Sequence, residues 1–278
     1  DWIFFDNELF SGYSREAGQD VLFMERLKEE GLPSIMETLQ FLGEEMVRDL
    51  YNSSTAWAGN GSKPLVGQYN VKPQRFYHDI FNMNRSYPDY LDFAMPSLYV
   101  QGNAIRVGDD ILEARKMLPK SDIIPWLTAG TYGEFPSIEL RHMVLEAFFN
   151  GSRGITFYRI HDFNGLDLKY TSEAISIAAK VEDIIIDGSL IGDKLTSPAL
   201  ELRLTGLELE NGEAAILVSN YSLNSKASYE VSYKAKAPSS VIDLDTDQVI
   251  AEISPDEPVF KVELTPELRA KAFHIIPK

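Results

Sequence analysis

Two carboxylates stand one residue apart near the start of the chain, in the sequence DWIFFDNE. The apolar residues before them predict a short β-strand, and because side chains alternate along a strand, Asp6 and Glu8 share one face while Asn7 points the other way. Two carboxyl groups held close together have different pKa values, so one stays protonated at a pH at which the other is ionised. Cleavage of a glycosidic bond requires such a pair. A pair of solvated acids at a strand end is an alternative of about equal weight.

Aromatic and polar side chains also follow four later apolar segments that we predict to be strands. In a parallel sheet the loops after the strands open at one edge, where functional groups cluster. Aromatic rings stack on the CH-rich faces of sugars, and amides, acids and arginine bind hydroxyl groups. We therefore expect a sugar site at this edge. Its candidate residues are Gln68, Tyr69, Tyr99, Trp126, Tyr132, Glu134, Tyr158, Arg159, His161 and Asp162.

Each of these residues taken alone also has a structural interpretation. Trp126 could belong to the core, Arg159 and Asp162 could form an ion pair, and His161 could be a satisfied loop histidine. The concentration of such residues after four consecutive strands favours the functional interpretation.

Short apolar strands alternate with amphipathic helices over residues 1–188, which is typical of β/α units around a parallel sheet. The predicted strands cover residues 2–5, 64–69, 91–99, 122–128 and 154–158. The predicted helices cover residues 20–30, 34–51, 109–118, 136–150 and 172–186. Five strands are too few to close an eight-stranded barrel.

The pattern changes after Gly188 to alternating strands separated by Asn-Gly, proline and Asp-rich turns. We expect residues 189–278 to form a C-terminal antiparallel β-sandwich that supports a catalytic (β/α) domain over residues 1–188.

The composition restricts the choice of ligand. A formal net charge of -16 disfavours nucleic acids and anionic membranes, since phosphates would be repelled. The sequence has no cysteine and only four histidines, so it offers no thiolate ligands and few imidazole ligands. A carbohydrate substrate is expected, and no cofactor or metal is implied.

The order of these strand ends, followed by a β domain, resembles the later half of a glycoside hydrolase (β/α)8 barrel. The resemblance implies that DWIFFDNE is strand four and that the later strands are strands five to eight. Strands one to three would then come from a segment not in this chain or from a second chain. An open sheet is the alternative.

Two glycosidase types share parts of this pattern. The chitinase-type families carry D-x-x-D-x-D-x-E on strand four, which Asp1, Asp6 and Glu8 match, while Phe4 replaces the second aspartate. This resemblance implies that Glu8 is the general acid/base and that Asp6 is the stabilising group. A retaining clan instead carries Asn-Glu on strand four and a glutamate nucleophile on strand seven, which implies roles for Asn7, Glu8 and Glu134.

We therefore predict a glycosidase that acts on a β-linked oligosaccharide or polysaccharide. A non-catalytic sugar-binding protein or inactive relative is one alternative. A metal-dependent (β/α)-barrel hydrolase that uses Asp6, Glu8, His161 and Asp162 as ligands is another.

Overall fold

The computed structural model describes residues 2–5, 16–57, 63–71 and 89–278 of the chain. The chain divides into two compact units. Unit 1 comprises Asp1–Leu98 and Glu113–Trp126, and unit 2 comprises Tyr99–Leu112 and Leu127–Lys278. The predicted division into residues 1–188 and 189–278 stays a prediction.

The helices and strands of the described residues are numbered in chain order. The helices are α1 (Val21–Glu29), α2 (Ile35–Trp57), α3 (Ala104–Met117), α4 (Ile138–Phe149), α5 (Gly165–Ala179) and α6 (Glu182–Asp187). The first six strands are β1 (Trp2–Phe5), β2 (Leu65–Val71), β3 (Phe93–Ser97), β4 (Asp122–Ile123), β5 (Trp126–Thr128) and β6 (Thr156–Tyr158). The remaining strands are β7 (Ser189–Leu190), β8 (Leu195–Thr196), β9 (Arg203–Glu208), β10 (Ala214–Ser219), β11 (Ala227–Tyr233), β12 (Ser239–Asp243), β13 (Gln248–Ile253), β14 (Val259–Leu264) and β15 (Ala270–Pro277).

Unit 1 is organised around a parallel sheet. Strand β1 pairs with β2, and β2 pairs with β3, all in parallel. Strand β4 and the first residue of β5 lie beside β3. Every residue of β3 is buried, as expected for a parallel strand that is covered on both faces. The last two residues of β5 belong to unit 2, and β6 is the next strand of the sheet after β5.

A glycine makes room for an aromatic ring in this sheet. Gly67 on β2 is the register partner of Phe93 on β3. A Cβ atom at Gly67 would lie 2.1 Å from the Phe93 ring. Because this ring is buried with Met95 and Ile124, it cannot swing aside freely.

Three of the differences between the predicted elements and the structure have a local cause. The strand predicted over residues 122–128 is split into β4 and β5 by Pro125, which has no N–H to donate. Helix α3 begins at Ala104 instead of residue 109, because the Asn103 side chain accepts a hydrogen bond from the backbone N–H of Arg106. The helix predicted over residues 172–186 is two helices, because Val181 leaves the helical conformation (φ -130°, ψ 30°).

Unit 2 contains two antiparallel sheets. One has the strand order β13-β12-β15-β10-β9-β7 and the other has the order β14-β11-β8. Buried residues from both sheets form one hydrophobic core, which includes Val218, Val231, Phe260 and Phe273. An α/β part followed by antiparallel sheets is the combination that the sequence predicts.

Helix α4 carries a fully buried carboxylate. Glu146 Oε2 accepts hydrogen bonds from Arg203 Nε on β9 at 2.9 Å and from Asn150 Nδ2 at 2.8 Å. Its Oε1 accepts from the Tyr221 hydroxyl at 2.8 Å and from Ser219 at 3.3 Å. Burial raises the pKa of Glu146, and these partners oppose the rise. The carboxylate therefore depends on its partners to stay ionised.

Two further contacts hold α4 to the antiparallel strands. The buried Arg141 side chain donates to Asp245 Oδ1 at 2.5 Å and to the carbonyl of Ala270 at 3.0 Å. In the first turn, the Glu139 carboxylate pairs with Arg269 and lies 3.0 Å from His142 Nδ1. Burial lowers the pKa of His142, which favours the neutral imidazole. Polar contacts thus anchor the beginning, middle and end of the helix.

The contact between Gly67 and Phe93 generates the first prediction. We expect Gly67→Ala to lower the free energy of unfolding by about 1–3 kcal/mol, because an added methyl overpacks a core that cannot relax. Urea denaturation monitored by circular dichroism measures this change. Gly165→Ala is the matched control, since a Cβ atom there meets nothing within 4 Å. Equal effects of the two substitutions would contradict the prediction.

The buried Glu146 generates the second prediction. We expect Glu146→Ala to destabilise the protein by about 3–5 kcal/mol, since it leaves the partly buried Arg203 without its buried partner. The exposed Glu173 on α5 supplies the control, and Glu173→Ala is expected to change stability by at most about 0.5 kcal/mol. Thermal and urea unfolding of both variants test this. A loss below about 1 kcal/mol for Glu146→Ala would show that the network contributes little.

Candidate active site

Three tyrosine rings form one cluster in unit 2. Tyr99 follows β3 in the chain, Tyr132 follows β5 and Tyr158 ends β6. The ring of Tyr99 lies 5.0 Å from that of Tyr132 and 5.5 Å from that of Tyr158, between ring centroids. The rings of Tyr132 and Tyr158 are 6.3 Å apart and only 11° from parallel. Tyr132 is 51% exposed and Tyr158 is 37% exposed. We call these three residues the tyrosine platform.

A strained turn supports the platform. Gln101 is a non-glycine residue with a positive φ of 51°, and Gly102 follows with φ 77°. The left-handed conformation costs a non-glycine residue about 1 kcal/mol or more. The Gln101 side-chain amide donates to the carbonyl of Tyr132. The turn after Tyr99 thereby fixes the backbone that carries the second ring.

The loop after β5 brings two acids to the same region. The backbone N–H of Gly133 donates to the carbonyl of Gly130 at 3.0 Å, which closes a turn around Tyr132. The hydroxyl of Thr131 donates to Asp162 Oδ2 at 2.5 Å. Glu134 is exposed, and its carboxylate lies against Gly130, because a Cβ atom built there would be 3.2 Å from Glu134 Oε1. Glu134 and Asp162 therefore both belong to the surroundings of the platform.

The segment after β6 carries three further predicted site residues. Arg159 has a left-handed backbone (φ 56°, ψ 69°) and begins a 3-10 turn over Ile160–Asp162. Its guanidinium carbon lies 5.8 Å from the centroid of the Tyr158 ring. Exposed His161 has its Nε2 atom 3.6 Å from Asp162 Oδ1. Asp162 therefore pairs with Thr131 and His161, and the ion pair with Arg159 that was one interpretation of the sequence does not form.

The remaining described candidates belong to unit 1. The indole of Trp126 lies 6.3 Å from the ring of Tyr69 and 6.1 Å from that of Phe4. It packs on the buried residues Phe93, Met95 and Ile124, as the core interpretation of Trp126 expects. Trp126 Nε1 and Gln68 Oε1 are buried, and neither has a hydrogen-bond partner in the part of the chain that the structure describes. Gln68 itself is only 5% exposed.

Buried polar atoms without partners are uncommon in folded proteins and call for an explanation. The indole N–H of Trp126 can donate a hydrogen bond, and the amide oxygen of Gln68 can accept one. A sugar hydroxyl both donates and accepts, so it can satisfy either atom. The lack of a hydrogen-bond partner for these two atoms among the described residues is consistent with a sugar-binding role of Gln68, Tyr69 and Trp126. That role stays a prediction.

The predicted acid pair follows directly after β1. Asp6, Asn7 and Glu8 lie outside the described residues, so the roles predicted for them stay predictions. The side chain of Phe4 is exposed, whereas those of Ile3 and Phe5 are half-buried. Strand β1 thus alternates between its two faces, as the prediction for Asp6 and Glu8 assumes.

No group of three or more histidine, aspartate or glutamate side chains among the described residues could hold a metal ion. No helix of the described part is long and apolar enough to cross a membrane.

One contact and two backbone conformations around the platform are not apparent from the sequence. Thr131 was not among the predicted site residues, although the hydrogen bond from its hydroxyl to Asp162 joins two of the loops. The left-handed conformations of Gln101 and Arg159 were also missed, because both residue types usually adopt negative φ. Gly102 and Gly133 were the available signals, since glycine next to a strand end often marks a strained turn.

Comparison with known proteins gives a likeness in structure only. No protein-family model matches the chain, and no curated protein is similar to it in sequence. Among solved structures, it is similar to α-galactosidase I from Mortierella vinacea (TM-score 0.57, 10% identity, covering 84% of this chain and 64% of that one). It is also similar to a GH27 β-L-arabinopyranosidase from Geobacillus stearothermophilus (TM-score 0.55, 9% identity, 84% and 62%).

A third similar structure is a putative α-N-acetylgalactosaminidase from Bacillus halodurans (TM-score 0.51, 12% identity, 84% and 62%). The chain spans somewhat over three fifths of each of these three structures. At such low identity the likeness concerns the fold. It confirms the predicted resemblance at that level: the chain has the fold of part of a glycoside hydrolase barrel with an appended β domain.

Proposed function

We propose that this chain is the catalytic part of a glycoside hydrolase that acts on a β-linked oligosaccharide or polysaccharide. The tyrosine platform carries this proposal. Two nearly parallel rings, those of Tyr132 and Tyr158, and the inclined ring of Tyr99 offer an apolar surface that suits the CH-rich face of a sugar. Glu134, Arg159, His161 and Asp162 surround the platform and can hydrogen-bond to hydroxyl groups. The fold shared with known glycosidases supports the same activity.

In this mechanism Glu8 protonates the oxygen of the glycosidic bond as it breaks. Negative charge then stabilises the oxocarbenium-like transition state. Asp6 supplies it in a substrate-assisted reaction, through the substrate's N-acetyl group. Glu134 supplies it in a retaining reaction, as a nucleophile that forms a covalent glycosyl-enzyme intermediate.

The architecture follows from the same proposal. Strands β1 to β6 correspond to strands four to eight of the barrel, with β4 and β5 together forming the seventh. A segment outside this chain, or a second chain, supplies the other strands. Residues 189–278 form a β-sandwich that follows the catalytic domain of residues 1–188 in the chain. The share of the solved glycosidases that this chain spans supports this assignment.

The acid pair generates the third prediction. In the full-length protein, we expect Glu8→Gln to lower kcat/KM by about 10²- to 10⁴-fold while sugar binding is retained, since the amide cannot donate the proton. A panel of β-linked oligosaccharides with chromatographic product analysis measures this. Glu173→Gln controls for a general loss of acidic charge and should leave the rate unchanged.

The same assay separates the two mechanisms. Loss of activity in Glu134→Gln with recovery by azide indicates the retaining nucleophile, whereas loss in Asp6→Asn with a requirement for an N-acetyl group indicates substrate assistance. Sugar binding without turnover in any form would support a non-catalytic binding protein. Turnover abolished by a chelator would support the metal-dependent alternative.

The tyrosine platform generates the fourth prediction. We expect Tyr132→Ala to weaken oligosaccharide binding by about 3- to 10-fold, because one stacking ring is lost. Tyr132→Phe keeps the ring and should bind within about twofold of the original protein. Calorimetric titration of both variants tests this. If Tyr132→Ala bound sugar as well as Tyr132→Phe, the platform would not be the sugar surface.

A further inference from the structure

Arg159 lies at the edge of the tyrosine platform. It follows Tyr158 directly, its side chain is exposed, and its guanidinium carbon is 5.8 Å from the Tyr158 ring centroid. At this distance the cation interacts with the ring face. The positive charge therefore lies beside the surface on which a sugar would stack.

This guanidinium forms no ion pair with any carboxylate in the described ranges. The nearest acid along the chain, Asp162, accepts a hydrogen bond from Thr131 and lies 3.6 Å from His161 Nε2. Most other arginines that the structure describes, such as Arg26, Arg141, Arg203 and Arg269, pair with carboxylates. An arginine without a carboxylate partner among the described residues is unexpected in a chain with a net charge of -16.

The backbone of Arg159 adds an independent argument. Its left-handed conformation is one that glycine adopts without strain, whereas a residue with a Cβ atom adopts it at a cost. A turn that needed only this backbone would be more stable with glycine. The strained arginine therefore indicates that its side chain has a use at this position.

A guanidinium recognises a carboxylate through two parallel N–H···O hydrogen bonds. In a uronic acid, the carboxylate projects from the rim of the sugar ring and leaves the ring faces free to stack. A uronic-acid unit stacked on Tyr132, the most exposed ring of the platform, would thus present its carboxylate on the side of Tyr158, where Arg159 lies. The overall negative charge of the chain opposes a ligand with many negative charges, so it favours one with isolated acidic units.

We propose that the tyrosine platform binds a uronic-acid unit of the saccharide and that Arg159 pairs with its carboxylate. This inference rests on the proposed glycosidase function and specifies the class of its substrate.

Matched oligosaccharides provide the test. Oligosaccharides with one glucuronic or galacturonic acid unit are compared with the same compounds after reduction of the carboxyl group to an alcohol. Calorimetric titration into the full-length protein gives both affinities. We expect at least one acidic compound to bind about tenfold or more tightly than its reduced form, with a preference that declines as salt is raised.

Variants assign the preference to the side chain. Arg159→Gln should bind the acidic and the reduced compound within about threefold of each other, and Arg159→Lys should regain part of the preference because it keeps the charge. Arg106→Gln removes an exposed arginine from α3 and should leave the preference intact. Arg159→Gly should lose the preference while melting at the same or a higher temperature, because glycine relieves the strained backbone.

The outcomes separate the two proposals. Equal affinity of the original protein for the acidic and the reduced compound would overturn the uronic-acid inference. An equal loss of affinity for both compounds in Arg159→Gln would overturn it too. In either case, binding or cleavage of the reduced compounds would still support the sugar site. Failure of the full-length protein to bind or cleave any compound would overturn the proposed function and the inference with it.

Discussion

The buried carboxylate of Glu146 constrains much of unit 2. A charge removed from water must be paired and hydrogen-bonded. The partners of Glu146 come from β9, from the end of β10, from the second residue after β10 and from the C-terminal cap of α4 itself. The Glu146 carboxylate is therefore fully paired only when β9 and β10 are packed against helix α4. The arrangement also raises the pKa of Tyr221, through burial and the adjacent charge, so its hydroxyl stays protonated and donates to Glu146.

Helix α4 connects these buried contacts to the loop of the candidate site. The helix begins shortly after the loop that carries Tyr132 and Glu134, and its first turn is held by the ion pair of Glu139 with Arg269. The loop is thus fixed at one end by strand β5 and at the other by an anchored helix. Such support from regular elements positions functional side chains more accurately than a free loop would.

The sequence predicted the presence of a parallel sheet, because short apolar segments between amphipathic helices are a strong signal. It predicted poorly where local chemistry overrides periodicity, as at Pro125, at the Asn103 cap of α3 and at the break at Val181. For the candidate site, it named the three tyrosines that the structure brings together, and their role in sugar binding stays a prediction. It did not reveal the hydrogen bond from Thr131 to Asp162, because contacts between residues far apart in the chain depend on the packing of both loops.

The short segment after β6 is held at both of its ends. Arg159 begins it in a left-handed conformation, and the capping box of Asn164 with Asp167 ends it at the start of α5. Each fixed end restricts the conformations that the intervening Ile160–Asp162 turn can sample. A molecule that contacts this turn therefore meets a preorganised surface, and its binding costs less conformational entropy than binding to a flexible loop would.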